Sequence, residues 1–196
     1  AALPFAEIYY AVKANPAVDV IAALAEEGAS FDLASAGELD RCLTLKIPGS
    51  RLSFGNTVKR EKEIAHAYAA GIRLFAFDSA GELEKLARAA PGARVFCRML
   101  VESTGAEWPL THKFGCDPTM ATELLIEAGR IGLRPAGVSF HVGSQQTDPQ
   151  QWVVAIARAA GIFRACAAAG IELDLLNLGG GLPAQYRSPV PSLATY

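Results

Sequence analysis

The sequence predicts a parallel α/β fold of about seven strand–helix units, either a TIM-like (β/α)8 barrel that is incomplete or an open doubly wound sheet. Three observations carry this expectation. Short apolar, β-branched or aromatic runs alternate with Ala/Leu/Glu-rich stretches of helical spacing along all 196 residues. The runs begin about every 22–40 residues, the spacing of βα units. They are apolar throughout rather than alternating, as strands covered on both faces are.

The elements follow in order. A first strand over Ile8–Val12 leads to a helix from Ala17 to Glu27, stopped by Gly28. Phe31–Ala34 is the second strand, with a helix from Gly37 to Leu45 and a turn at Pro48-Gly49. Arg51–Phe54 is the third, followed by a helix from Arg60 to Ala70. Leu74–Phe77 is the fourth; Asp78 or Ser79 caps the next helix, which Pro91-Gly92 closes. Arg94–Val101 is the fifth, and the long segment from Glu102 to Cys116 reads as a loop. Asp117-Pro118 opens a helix to Ile131, and Pro135–Val142 is the sixth strand. Asp148-Pro149 opens a helix to Ala169, and Leu173–Leu178 is the seventh strand.

An open doubly wound sheet competes with the barrel, but no G-x-G-x-x-G follows the first strand, which weakens the dinucleotide-binding version. No linker or low-complexity stretch divides the chain, so residues 1–196 read as one partial barrel domain.

Composition narrows the function. Hydrophobic residues at 51% against 19% charged give enough material for a core. A net charge of -2 leaves no basic excess for nucleic acid or an anionic membrane surface. No apolar run has the length of a membrane span, and no basic stretch leads into an apolar signal core. Cys42, Cys97, Cys116 and Cys166 are widely spaced, without a C-x-x-C pair, and read as reduced, buried thiols of a cytoplasmic protein. Three histidines and four cysteines show no metal-ligand spacing.

In a parallel α/β fold, chemistry gathers at the C-terminal ends of the strands. Those ends carry Lys13, then Asp32 with Ser35 and Glu38, then Gly55-Asn56 and Asp78-Ser79. Arg98, His141 with Ser144, and Gly179-Gly180-Gly181 follow. Singly, each has a plain structural explanation: a surface lysine, helix-capping acids, a hydrogen-bonded histidine, a loop. Jointly they suit pyridoxal 5'-phosphate. A lysine amine bonds an aldehyde carbon. Glycine N–H groups and the Ser144 hydroxyl suit a phosphate. His141 offers a flat face for the ring, and Arg98 balances the nearby acids. His66 and His112 lack a partnered pattern and read as structural.

Tyr10-Ala11-Val12-Lys13-Ala14-Asn15-Pro16 resembles the cofactor-lysine motif of the fold-type III pyridoxal phosphate decarboxylases. Phe31-Asp32-Leu33-Ala34-Ser35 with Glu38, Ser53-Phe54-Gly55-Asn56 and Phe77-Asp78-Ser79 resemble their next strand ends. Lys113-Phe114-Gly115, Val138–Ser144 and Leu178–Gly181 match further on, in order. Ser53–Thr57 and Gly105–Leu110 look like the bacterial lysine/ornithine branch.

The resemblance implies a carboxy-lyase that converts a basic amino acid, ornithine or lysine, to a diamine for polyamine biosynthesis. It implies Lys13 as the residue bonded to the cofactor and His141 stacked on its ring. Ser144 and Gly181 would hold the phosphate, with Gly179 and Gly180 shaping the loop. Asp32, Glu38 and Arg98 would line the pocket, and Lys113 would sit near the interface of a homodimer. The family's acid–proline–glycine–arginine motif of an eighth strand does not occur, nor does its C-terminal β-domain. The expectation is therefore a barrel portion, inactive by itself. A non-catalytic pyridoxal phosphate-binding protein, a diaminopimelate decarboxylase and an amino-acid racemase are the alternatives.

Overall fold

The structure, a computed structural model, describes residues 5–102, 106–108, 113–186, 189–190 and 192. The chain divides into two compact units, Ala1–Val95 with Gly132–Arg134, and Phe96–Ile131 with Pro135–Tyr196.

The first unit alternates strand and helix: β1 (Tyr9–Ala11), α1 (Val18–Glu26), β2 (Ser30–Leu33), α2 (Ala36–Thr44), β3 (Leu52–Phe54), α3 (Glu61–Ala69), β4 (Leu74–Phe77), α4 (Ala80–Ala89) and the start of β5 (Arg94–Arg98). Its strands are parallel and ordered as in the chain. Ala11 lies opposite Asp32, Asp32 opposite Ser53, and Phe54 opposite Phe75. The pleat then decides what is buried. Phe31 and Leu33 alternate with Ser30 and Asp32, so the first pair is buried and the second half-buried. Phe54, Phe75 and Phe77 extend the apolar layer, joined by Ile21, Leu39 and Ile64 from the helices. Each such side chain contributes about 1.5–3 kcal/mol on burial.

Helix starts obey the sequence. Ser35 Oγ accepts from the Glu38 N–H at 3.3 Å, and Ser79 Oγ accepts from the Glu82 N–H at 3.4 Å.

The second unit holds the end of β5, β6 (Ala106–Trp108), α5 (Pro118–Arg130), β7 (Arg134–Ser139) from Pro135 onward, β8 (Ser144–Gln146), α6 (Gln150–Ala168) and β9 (Leu175–Asn177). β7 and β9 are parallel, with Val138 opposite Leu176. The Met99 N–H donates to the Ser139 carbonyl at 2.8 Å, continuing the pairing from β5. Asp117 caps α5 by accepting from the Thr119 and Met120 N–H groups at 2.9 and 3.1 Å, and Pro118 fills the first helical position. α5 packs against α6. The buried positions of α6, Ala155, Ala159, Ile162 and Cys166, recur every three or four residues, and the small ones permit close approach.

Three expectations change in detail. The first strand ends at Ala11, and Lys13 lies in a 3-10 turn over Val12–Ala14. The segment from Glu102 to Cys116 is not wholly loop. It contains β6, which pairs antiparallel with β8, Ala106 opposite Gln146 and Trp108 opposite Ser144. Ser144 therefore stands on a short strand. No described helix is long and apolar enough to cross a membrane.

Candidate functional site

In the first unit, buried Val12 anchors the turn that presents Lys13, which is exposed. The Lys13 ammonium has no hydrogen-bond or ion-pair partner among the described residues. Asn15 closes the corner, its Oδ1 accepting from the Ala17 N–H at 3.1 Å.

Asp32 stands between Ala11 and Ser53 on adjacent strands. The Ser53 hydroxyl donates to its Oδ1 at 2.6 Å. Gly55 makes room for this carboxylate: a Cβ there would overlap both oxygens. Two residues back on β1, the Tyr9 hydroxyl is held above its ordinary pKa, first by burial and then by the negative charges of Glu7 and Asp32. Ser30 and Arg94 oppose that shift in part.

Glu38 has a plainer duty. Its Oε2 accepts from the Ala34 N–H at 2.7 Å, at the start of its own helix. That bond gives it capping work.

The sequence reading missed a buried ionic cluster. Lys59 is 3% exposed, and its Nζ lies 2.9 Å from Glu82 Oε1. The same ammonium donates to the Asn56 and Ala76 carbonyls at 2.7 and 2.6 Å. Lys85 reaches Glu82 Oε2 at 2.6 Å. Burial lowers the Lys59 pKa from 10.5 to about 8, with Glu82 pulling the other way. The cluster ties the Gly55–Lys59 stretch, and so the glycine facing Asp32, to β4 and α4. A signal for it existed: Ser-Ala-Gly-Glu-Leu occurs at Ser35–Leu39 and again at Ser79–Leu83. The same motif caps a helix in both copies, but only the second glutamate meets a buried lysine.

In the second unit, the Arg98 guanidinium lies 5.4 Å from the centre of the Phe114 ring. Lys113 lies over the same ring at 5.6 Å. His141 is half-buried just beyond β7, and its Nδ1 accepts from the Gly143 N–H at 3.0 Å. That bond places the proton of the neutral ring on Nε2.

The Gly179–Gly181 run then turns beside His141. Gly179 has φ +69 and Gly181 φ +104, the left-handed region that excludes most side chains. A Cβ on Gly179 would overlap the Phe140 carbonyl oxygen, and one on Gly181 the Gly143 carbonyl oxygen. A Cβ on Gly180 would stand 3.5 Å from His141 Nε2. The Gly179 N–H donates to Asn177 Oδ1 at 2.8 Å, whereas the N–H groups of Gly180 and Gly181 donate to nothing among the described residues. The Ser144 hydroxyl is likewise unengaged among them.

Two further residues fix the glycine turn. The Gln146 N–H donates to the Gly181 carbonyl at 2.8 Å. Gln145 makes a two-way clasp with the Ala184 backbone at 2.8 and 2.9 Å. Their adjacency to Ser144 was the available signal.

Within the first unit the structure thus groups Asp32 with Ser53 and Gly55, and within the second His141 with Gly179–Gly181. His66 pairs on the surface with Asp40 at 2.9 Å, a structural contact between α2 and α3. His112, Gly105, Pro109 and Leu110 lie outside the described residues.

A sequence pattern described as "Pyridoxal-dependent decarboxylase, pyridoxal binding domain" matches residues 1–195. The chain belongs to this family, and pyridoxal phosphate is the family's cofactor. A lysine/ornithine decarboxylase of Selenomonas ruminantium is 38% identical over 181 residues, covering 92% of this chain and 46% of that protein. The crystal structure of the lysine decarboxylase from Selenomonas ruminantium superposes with a TM-score of 0.92 at 35% identity, over 98% of this chain and 51% of that one. A lysine/ornithine decarboxylase from Vibrio vulnificus, complexed with putrescine, gives a TM-score of 0.88 at 34% identity, over 97% and 50%. The fold class is therefore α/β, the incomplete TIM-like barrel, one of the two architectures that the strand–helix alternation left open and the one that the resemblance implied. The chain spans about half the length of the curated relatives it matches.

Proposed function

We propose that these residues form the cofactor-binding part of a decarboxylase that converts lysine or ornithine to the corresponding diamine, in polyamine biosynthesis. The carrying observation is the glycine turn at His141. Two N–H groups without partners among the described residues and a serine hydroxyl lie on a backbone that leaves no room for a Cβ at Gly179 or Gly181. That donor set suits the phosphate of pyridoxal phosphate.

Each residue then has a role its chemistry supports. Lys13 Nζ, exposed and unpaired among the described residues, would hold the cofactor through its aldehyde carbon. The Gly180 and Gly181 N–H groups and Ser144 Oγ bind the phosphate, on a loop that Gly179 shapes. His141 lays its ring against the pyridine, its orientation set by the bond from Gly143. Asp32, Glu38 and Arg98 set the charge along the pocket. When bound, pyridoxal phosphate supplies an electron sink for the pair left as carbon dioxide departs.

The working enzyme is read as a cytoplasmic homodimer. The 196 residues alone, about half of a relative's length, are expected to bind cofactor and turn over little substrate. The test combines an absorbance titration with pyridoxal phosphate and carbon dioxide release from labelled lysine and ornithine. Saturable binding that Lys13→Ala removes, with release near the blank, is the expected result. Binding that Lys13→Ala leaves unchanged would refute the assignment, and rapid release would refute the partial-enzyme reading.

A further inference from the structure

We propose that Cys97 and Cys116 are a redox-active dithiol, which a peroxide closes to a disulfide. The sulfurs lie 3.5 Å apart. A disulfide needs about 2.05 Å, so side-chain rotation has to bring them together by roughly 1.5 Å. The backbone already holds Cys116 beside the strand that carries Cys97. Cys116 forms a parallel bridge with Met99, held on one side by its N–H donating to the Arg98 carbonyl at 3.1 Å. On the other side the Leu100 N–H donates to the Cys116 carbonyl at 2.8 Å. These bonds fix Cys116 beside β5 whatever the state of the thiols. Cys116 also directs its Sγ to the Arg98 carbonyl at 3.7 Å.

The other two thiols differ in kind. Cys42 on α2 and Cys166 on α6 have no sulfur neighbour among the described residues. Burial raises both their pKa values, Cys42 to about 11, which keeps them protonated and slow. Cys116 is 7% exposed and Cys97 fully buried, so Cys116 is the sulfur that meets the oxidant.

The reaction balances in two steps. The Cys116 thiol takes an oxygen from hydrogen peroxide, giving a sulfenic acid and one water. Cys97 sulfur then attacks Cys116 sulfur, the hydroxyl leaves with the Cys97 proton as a second water, and the disulfide forms. Two thiols are oxidised and one peroxide is reduced. The bond joins residues 19 apart in sequence. It pins the stretch that carries Lys113 and Phe114, on whose ring Arg98 lies, to the strand that carries Arg98. This inference does not depend on the proposed function.

The test treats the reduced 196-residue chain with hydrogen peroxide, then unfolds it, alkylates it and measures intact mass and non-reducing peptide maps. The expected product loses two hydrogens, keeps two alkylatable thiols of four, and links the Cys97 and Cys116 peptides. Cys97→Ala and Cys116→Ser should each abolish the link, and the Cys42→Ser/Cys166→Ala pair should leave it unchanged. Four surviving thiols at a dose that oxidises dithiothreitol would overturn the proposal. So would oxygen addition without a cross-link, a link between other cysteines, or equal formation of the same link in urea-unfolded chain.

Discussion

Replacing Lys59 by methionine tests the buried cluster, because the ammonium can be followed by pH. The substitution removes the 2.9 Å ion pair with Glu82 and the bonds to the Asn56 and Ala76 carbonyls. Each buried carbonyl left without its donor costs about 1–3 kcal/mol. Against this, methionine spares the protein the desolvated charge. The fall from 10.5 to about 8 corresponds to about 3 kcal/mol of that cost. Glu82 keeps Lys85 at 2.6 Å and is not left bare. The balance lies between almost no change and a loss of about 3 kcal/mol at pH 7.

The pH dependence is more telling than that loss. Between about pH 8 and 10.4 the unfolded chain keeps the Lys59 proton and the folded chain releases it. More protons on the unfolded state means that stability rises with pH across that window, by up to about 3 kcal/mol. Below pH 8 both states hold the proton and the contribution is flat. Cys42 opposes this trend, since its raised pKa makes its contribution fall as pH rises from about 9 to about 11. Cys42 is present in both proteins and cancels in the difference. Urea unfolding of both at pH 7 and at pH 10 is the assay. The gap between wild type and Lys59→Met should widen at pH 10 by up to about 3 kcal/mol. A constant or narrowing gap would refute a buried, depressed lysine.

Three other changes probe the site. Gly55→Ala drives a methyl into the Asp32 carboxylate and breaks its 2.6 Å bond from Ser53, so a loss of about 1.5–3 kcal/mol should appear in thermal melts. Pairing it with Asp32→Ala should recover part of that loss. Gly181→Ala meets both φ +104 and the Gly143 carbonyl, and should weaken pyridoxal phosphate binding about tenfold in an absorbance titration, through strain of about 1–3 kcal/mol. Asp117→Ala removes the cap of α5, and should cost about 1 kcal/mol in urea unfolding without moving cofactor affinity.

How much of this was legible follows from where the information lies. The strand–helix alternation is local: runs such as Leu74–Phe77, punctuated by Ser79 and by Pro91-Gly92, declare themselves within a few residues. The β6–β8 pair did not. Ala-Glu-Trp and Ser-Gln-Gln carry no apolar rhythm, and they pair across a long stretch of chain. Site residue types were readable, but not their side-chain partners. Glu38 and Glu82 sit in the same five-residue motif, and only packing sends one to its own helix and the other to Lys59. Cys97 and Cys116 come together because Cys116 bridges Met99, which spacing alone does not reveal.

The central claim is that Lys13 carries the cofactor, and chemical trapping tests it most directly. The chain is equilibrated with pyridoxal phosphate, reduced with borohydride and digested, and the pyridoxyl label is located by mass spectrometry. The account predicts one label per chain, on Lys13, lost in Lys13→Ala. Labelling spread over the exposed Lys46 and Lys62, or unchanged in Lys13→Ala, would contradict it.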